Sequence, residues 1–312
     1  MKKTLLILIT LLTATFGYSQ FTDSNFITYT VTSSSLNTVE ITEYDATQGG
    51  TNVIIPETVT NAGTTYTVTS IGDGAFISKG LTNVSISNTV TSIGNLAFRI
   101  NQLTNVTIPD NVISIGTGAF VGNPNISSVV FGNSLTTIGI SSFGGCSLTH
   151  IVIPDNVTSI GNTAFANNQL ISVTLGSSVS SIGTGTFSGN TATLNSVISK
   201  AVTPPTITTG GSGDTFNPGM PGGDRSGIDL IIPNNTSTAY NTALWTDFKS
   251  IVEGKIWTGT SIDWLTLNNW SPNSIPISTD FFIKSAIACS SVVNGIIIFS
   301  GLSSFSSSQR MI

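Results

Sequence analysis

Two aspartates come nearest to a catalytic spacing in this 312-residue chain. Asp110 and Asp155 lie in the same Pro-Asp-Asn sequence two repeat units apart, which predicts a separation of roughly 10 Å. Inverting glycosidases hold their two carboxyl groups about 6.5–9.5 Å apart. The unit between them has Gly132 and Asn133 at this place and adds no third acidic group. Because Pro-Asp-Asn is also a preferred turn sequence, we interpret the pair as turn residues.

The other side chains capable of chemistry are isolated in the sequence. His150 is the only histidine; it lies at a predicted solvent-facing position and has no neighbours at metal-ligand spacing. Cys146 is predicted to be a buried free thiol, and Cys289 lies near the end of the chain. The motifs of serine hydrolases, zinc proteases and phosphate-binding loops do not occur. We therefore predict a protein that is not an enzyme and has no cofactor and no metal site.

The elements that position these residues are repeats. The sequence VTSIGDGAF at 68–76 returns five times, and its Ile-Gly pair begins at residues 71, 93, 115, 138, 160 and 182, in steps of 22 or 23 residues. Such a period is typical of a solenoid whose units stack on one another. Each unit also contains a segment such as LTNVTI at 103–108, whose apolar spacing fits a short strand and not a helix. The Ile and Phe side chains are predicted to fill the interior, and the Gly to permit a corner.

A polar side chain or a thiol follows most of the phenylalanines by three residues. These residues are Asn101, Asn123, Cys146, Asn168 and Asn190. We predict an internal ladder in which the amides bond the backbone at each corner. The alternative is a row of amides that face a ligand.

The outward positions of the Leu-x-x-Val-x-Ile segments form the candidate binding surface, which we call the strand face. Its residues are Thr82, Asn83, Ser85, Thr104, Asn105, Thr107, Ser127, Ser128, Thr149, His150, Ser172 and Thr174, with Val130, Val152 and Ile171 beside them. Within 81–192 only Arg99, Asp110 and Asp155 are charged, so a partner would be held by hydrogen bonds, shape and aliphatic contact. The face contains no Trp, Tyr or Arg, which favours weak or multivalent binding. The alternative is a face that is merely solvated.

The composition of the chain and its N-terminal sequence limit the possible partners and cellular location of the protein. Charged residues make up 8% of the chain and its formal net charge is −5, without a basic cluster, which argues against nucleic-acid partners and against anionic membrane surfaces. Residues 1–19 read as a secretory signal peptide: two lysines precede a short apolar run, and small residues stand before a cut at Gln20. We predict an exported protein with no transmembrane segment in the mature chain.

Non-repetitive sequence flanks the repeats, which are assigned to 68–192. Residues 20–67 alternate apolar and polar side chains and contain a turn sequence at 61–63, which predicts an N-terminal β cap. Residues 193–254 are predicted to be a C-terminal cap with a strand at 230–233 and a short helix. The predicted apolar face of that helix is Tyr240, Ala243, Trp245, Phe248 and Ile251. Residues 255–312 begin as a partial tryptophan-rich module, with Trp257, Trp264 and Trp270, and continue as a tail of different character.

The repeat LTNVTIPDNVISIGTGAFVGN resembles the BspA-like branch of the leucine-rich repeats, a family of surface proteins. The match covers about 53–192; Ser142 and Thr186 depart from the family's Ala before Phe. The resemblance implies a β-rich solenoid, a leucine-rich-repeat array of 22–23-residue coils with N- and C-terminal caps and little regular helix. It implies adhesion or recognition of protein or glycan partners at the surface of a bacterium. A structural spacer that carries another cell-surface domain is the alternative.

Overall fold

The computed structural model describes residues 19–190, 193–209, 214–216, 225–257, 270–271 and 282–283. These ranges leave out residues 1–18 of the predicted signal peptide. They also leave out most of 255–312, including Cys289. Predictions for those segments therefore remain predictions.

The N-terminal part is a small β structure that leads into the repeats. Its elements are β1 (Gln20–Thr22), β2 (Ile27–Ser33), β3 (Thr38–Tyr44), α1 (Ala46–Gly49), β4 (Asn52–Ile54), β5 (Thr58–Asn61) and β6 (Thr64–Ile71). Strands β2 and β3 form an antiparallel hairpin with Ile27, Tyr29 and Val31 buried on one side, as their alternation predicts. The predicted turn at 61–63 joins β5 to β6, and β3 then pairs in parallel with β6.

Each repeat coil contributes one strand to each of two parallel sheets. The strands are β7 (Asn83–Ser85), β8 (Ser92–Ile93), β9 (Asn105–Thr107), β10 (Ser114–Ile115), β11 (Ser128–Val130), β12 (Thr137–Ile138), β13 (His150–Val152), β14 (Ser159–Ile160), β15 (Ser172–Leu175) and β16 (Ser181–Ile182). The even-numbered strands of the repeats extend the sheet of the N-terminal part. Its order is β1-β2-β3-β6-β8-β10-β12-β14-β16, and we call it the first sheet. The odd-numbered strands of the repeats, with β4 before them, form what we call the second sheet. Its strands are hydrogen-bonded in three groups, β4 with β7, β9 with β11, and β13 with β15.

The interior is a continuous column of aromatic rings. The phenylalanines of successive coils are Phe76, Phe98, Phe120, Phe143, Phe165 and Phe187. Their ring centroids lie 5.0 to 6.1 Å apart and adjacent planes differ by 5° to 9°. Such parallel stacking follows from the repeat itself, because each coil presents the same side chain at the same height. The column continues to Phe216, 5.5 Å from Phe187.

The glycine after each isoleucine is required by the close approach of neighbouring coils. A Cβ at Gly116 would lie 2.6 Å from the backbone nitrogen of Asn95 and 2.6 Å from the carbonyl carbon of Gly94. The corner predicted from the sequence is thus a place where two backbones touch, and a left-handed dihedral angle is not involved.

The C-terminal part extends the second sheet with β17 (Ser196–Ser199), β18 (Asp229–Pro233) and β19 (Ser250–Trp257), all parallel. Helix α2 (Ser237–Thr242) lies between β18 and β19, and β19 also pairs with β20 (Trp270–Ser271) and β21 (Phe282–Ile283). The two helices of the described ranges are far too short and polar to cross a membrane.

The predicted helix of the C-terminal cap is shorter than its apolar spacing suggested. It ends at Thr242, because Leu244 and Asp247 both adopt φ of +65°, and Ile251 belongs to a strand. Trp245 is nevertheless buried; its backbone N–H donates to the Tyr240 carbonyl and its indole Nε1 donates to the Pro205 carbonyl. The turn after the helix therefore brings the Trp245 side chain into the core. The sequence had predicted the same burial, but on the face of a longer helix.

Candidate binding surface

The asparagine row lies inside the solenoid and bonds the backbone of two coils. Asn168 is buried; its Nδ2 donates to the carbonyls of Phe143 (2.9 Å) and Phe165 (3.1 Å), and its Oδ1 accepts from the backbone N–H of Leu148 (3.0 Å). Asn101, Asn123 and Asn190 are buried and make the equivalent bonds. These amides are buried and bonded to the backbone through both their nitrogen and their oxygen, so they are not exposed to a ligand.

Cys146 occupies the ladder position of the only coil that is entered by a 23-residue step. Its thiol donates a long 3.7 Å bond to the Phe120 carbonyl and offers no side-chain oxygen to the backbone N–H of Ile126. That N–H donates instead to the Asn123 carbonyl at 3.1 Å, within the turn that contains the inserted residue. Burial raises the pKa of the Cys146 thiol to about 12, so the side chain is a neutral thiol at physiological pH.

The two aspartates each stabilise a turn of the following coil. Asp110 Oδ1 accepts from the backbone N–H of Asn133 at 3.0 Å, and Asp155 Oδ1 accepts from that of Ser177 at 2.9 Å. Asp155 also forms a salt bridge with Lys200 Nζ at 3.3 Å. Each carboxylate is thus occupied by a structural bond. Among the described residues no three potential metal ligands are grouped together, and His150 Nδ1 contacts only the neighbouring Thr149 hydroxyl, at 3.0 Å.

The strand face is open over the first four repeat coils. Thr82, Asn83, Ser85, Thr104, Asn105, Thr107, Ser127 and His150 are exposed, and Ser128 and Thr149 are half-buried. In register across the parallel strands, Asn105 lies beside Ser128, whose hydroxyl donates to Asn105 Oδ1 at 2.6 Å. Val130 is 48% exposed and Ile171 39% exposed, so aliphatic patches alternate with the hydroxyl and amide groups.

Ser172 and Thr174 correct the prediction that the whole face is open to solvent. Ser172 is 2% exposed and Thr174 is fully buried, and no described residue lies within hydrogen-bond distance of either hydroxyl. The outward residue beside Thr174 is Ile198, followed by Ile231 on the next strand, and both are buried. The row that contains Thr174 therefore becomes aliphatic after β15, whereas Ser172 is followed by Ser196 and Asp229. The burial of Ser172 and Thr174 removes both residues from the accessible face.

One strand that belongs to this face was missed by the sequence analysis. Strand β4 pairs in parallel with β7, so that Asn52 lies beside Asn83 and Ile54 beside Ser85. Both β4 residues are exposed, and Ile54 is 69% exposed. The signal was present in the sequence: TNVIIPETV at 51–59 repeats the pattern of TNVTIPDNV at 104–112 without the leading leucine.

The parallel coils, the buried amide ladder and the single column of core phenylalanines define a leucine-rich-repeat solenoid. The model of the BspA type leucine rich repeat region matches residues 14–134 and 69–194 in six copies, and the chain belongs to this family. The resemblance inferred from the repeat sequence is thereby confirmed. A search of curated proteins found no match.

Three of the solved structures to which this chain is similar are those of bacterial leucine-rich-repeat proteins. One from Bacteroides ovatus is 28% identical with a TM-score of 0.54; the alignment covers 75% of this chain and 53% of that one, so this chain spans about half its length. The Treponema pallidum protein is 22% identical over 73% of this chain and 97% of that one, with a TM-score of 0.49. A leucine rich cell surface protein from Faecalibacterium prausnitzii is 19% identical over 75% of this chain and 94% of that one, with a TM-score of 0.30.

Proposed function

We propose that this protein is an exported, non-catalytic leucine-rich-repeat protein that recognises a protein or glycan partner at the bacterial surface through its strand face. The observation that carries the proposal is the register of the second sheet. It puts exposed Asn105 beside half-buried Ser128 on parallel strands. Exposed Asn83 and His150 occupy the equivalent positions of the repeat in the coils before and after this pair. Solenoids bind through extended faces of this kind. Export is proposed from the residue pattern of 1–19 alone.

The chemistry of the face indicates how a partner is held. Hydroxyl, amide and imidazole groups can donate or accept hydrogen bonds with the hydroxyls of a glycan or with a polypeptide backbone. Val130 and Ile171 supply aliphatic contact between them. Because charged side chains are absent from the exposed residues of this face, binding is expected to depend little on ionic strength. The proposal of a non-catalytic role is supported by the structural bonds of Asp110 and Asp155.

Binding of the mature chain to glycan arrays and to extracellular-matrix proteins tests the proposal. Asn105→Glu and His150→Glu introduce a buried charge into any interface that covers these positions, so each should weaken binding at least about tenfold. Thr137→Glu is the matched control, because Thr137 is exposed on β12 of the first sheet. Binding that is unchanged by the first two variants would contradict the assignment of the face.

The stacked array of repeat coils also suits the alternative role, in which the protein is a spacer that carries a further cell-surface domain. The same experiment separates the two roles, because a spacer would leave the mature chain without any partner that depends on Asn105 or His150.

A further inference from the structure

The first and second sheets end differently at the N-terminal side of the solenoid. The first sheet is extended by β3, β2 and β1, whereas the second sheet ends at β4, which pairs only with β7 within the described residues. In the β4–β7 ladder the Asn83 N–H donates to the Thr51 carbonyl, and the Ile55 N–H donates to the Ser85 carbonyl. The alternation of a parallel ladder therefore turns the N–H and C=O groups of Asn52 and Ile54 away from β7. These four backbone groups form an open edge.

A cavity of about 410 Å³ lies against this edge. Asn52, Val53 and Ile54 of β4 line it, together with Phe26 and Tyr44 from the N-terminal hairpin. Phe26 is 36% exposed and Ile54 is 69% exposed, so two large apolar side chains stand open beside the edge. The rest of the lining is mixed, with Ser24, Asn25 and Gln48 among the polar residues. An unpaired backbone edge next to a cavity that can take a side chain is the arrangement by which sheets accept an added strand.

The presentation of Phe26 is unusual for a surface aromatic residue. Its φ is +63°, a conformation that is unfavourable for a side chain of this size. Two backbone bonds hold it: the Phe26 N–H donates to the Asp23 carbonyl, and the Asp45 N–H donates to the Phe26 carbonyl. The Asp23 carboxylate accepts from the N–H groups of Asn25 and Ile27, which fixes the turn on both sides. The fold thus maintains a strained backbone at a residue whose ring lines the cavity.

The surroundings of the cavity are acidic. Residues 19–57 carry five carboxylates and no lysine or arginine; they are Asp23, Glu40, Glu43, Asp45 and Glu57. Glu43, Asp45 and Glu57 are exposed, and each directly precedes or follows a residue that lines the cavity. Lys79 of the first repeat coil lies close enough to Asp45 to attract its carboxylate and offsets one of these charges. The remaining carboxylates favour a cationic occupant, in contrast to the nearly uncharged strand face.

We propose that the β4 edge and its cavity bind an extended, lysine- or arginine-bearing polypeptide segment as one further strand of the second sheet. The backbone groups of Asn52 and Ile54 supply the hydrogen bonds. An apolar side chain of the segment enters the cavity beside Phe26 and Ile54, and its basic side chains lie near the carboxylates. This site is separate from the row that contains Asn105 and His150, and it can fail or hold independently of the function proposed for that row.

Fluorescence anisotropy with an end-capped peptide of alternating lysine and valine, seven residues long, tests the proposal on the mature chain. The peptide should bind, whereas a peptide in which glutamate replaces every lysine should not. Ile54→Pro removes an N–H that faces away from β7 and shortens the side chain at the cavity, so it should weaken binding about tenfold. Ile54→Val shortens the side chain but keeps the N–H, so it should have little effect. Absence of binding to the wild-type chain, or equal binding by Ile54→Pro, would overturn the proposal.

Phe26→Gly provides a second variant that keeps the fold intact. Glycine adopts a φ of +63° without strain, which offsets the lost partial burial of the ring and the extra backbone entropy of glycine. The melting temperature should therefore change little while peptide affinity falls about tenfold. Hydrogen exchange gives a direct readout, since the amides of Asn52 and Ile54 should exchange more slowly with the peptide bound. Binding that persists in Phe26→Gly, without slowed exchange at these amides, would indicate charge attraction alone and would contradict strand addition.

Discussion

The two residues that depart from alanine before the core phenylalanine, Ser142 and Thr186, differ in how the surrounding backbone receives them. Thr186 stands where most coils have alanine, and its hydroxyl proton is shared between the carbonyls of Gly161 (3.0 Å) and Gly183 (2.8 Å). Ser142 occupies the same position two coils earlier, yet its buried hydroxyl has no hydrogen-bond partner among the described residues. A buried hydroxyl without a partner loses its bonds to water and gains nothing in return.

Ser142→Ala should therefore stabilise the protein by about 1 kcal/mol, because it removes an unsatisfied buried polar group. Thr186→Val should destabilise it by about 1 kcal/mol, because the hydroxyl bond to the half-buried carbonyls of Gly161 and Gly183 is lost while the shape of the side chain is kept. Equilibrium unfolding in urea measures both changes. Destabilisation by Ser142→Ala would contradict the absence of a partner for the Ser142 hydroxyl.

At the scale of one coil, the glycine after isoleucine allows the backbone to contact the backbone of the neighbouring coil, and this contact sets the distance between coils. Gly116→Ala would place a methyl group 2.6 Å from the backbone of the preceding coil, and two parallel strands would have to separate to admit it. We expect a loss of at least about 2 kcal/mol in the free energy of unfolding.

Gly227→Ala is the matched control, because a Cβ at Gly227 meets no atom within 4 Å. It should change the free energy of unfolding by less than about 0.5 kcal/mol. Thermal and urea unfolding of both variants check the expectation, and an equally mild effect at Gly116 would mean that the coils are not held at this separation.

Over the whole molecule, the buried ionisable groups predict how stability depends on pH. Burial raises the pKa of Cys146 from 9.0 to about 12 and that of Tyr240 from 10.0 to about 12, and it raises the pKa of Tyr29 as well. These groups keep their protons in the folded state, while the unfolded chain releases them at lower pH. Their contribution to stability is therefore complete below about pH 8 and is lost progressively as the pH rises from 9 towards 12.

Urea unfolding between pH 7 and pH 11 measures this decline, and tyrosinate absorbance should appear together with unfolding. Cys146→Ala should make the decline shallower between pH 9 and pH 10.5, because it removes the group with the lowest unfolded-state pKa. A free energy of unfolding that stays constant from pH 8 to pH 10.5 would contradict the burial of these groups.

The repeat period, the parallel stacking, the phenylalanine column and the positions of the ladder amides could be predicted from the sequence. All of these features depend only on contacts between one coil and the next. Because adjacent coils have nearly the same sequence, the same contacts recur at every repeat and can be predicted from the period. Tertiary structure alone decided the burial of Ser172 and Thr174, the end of α2 at Thr242, and the open β4 edge beside Phe26. These features arise where the repeat ends, because there the exposure of a side chain depends on non-repetitive segments that no period predicts.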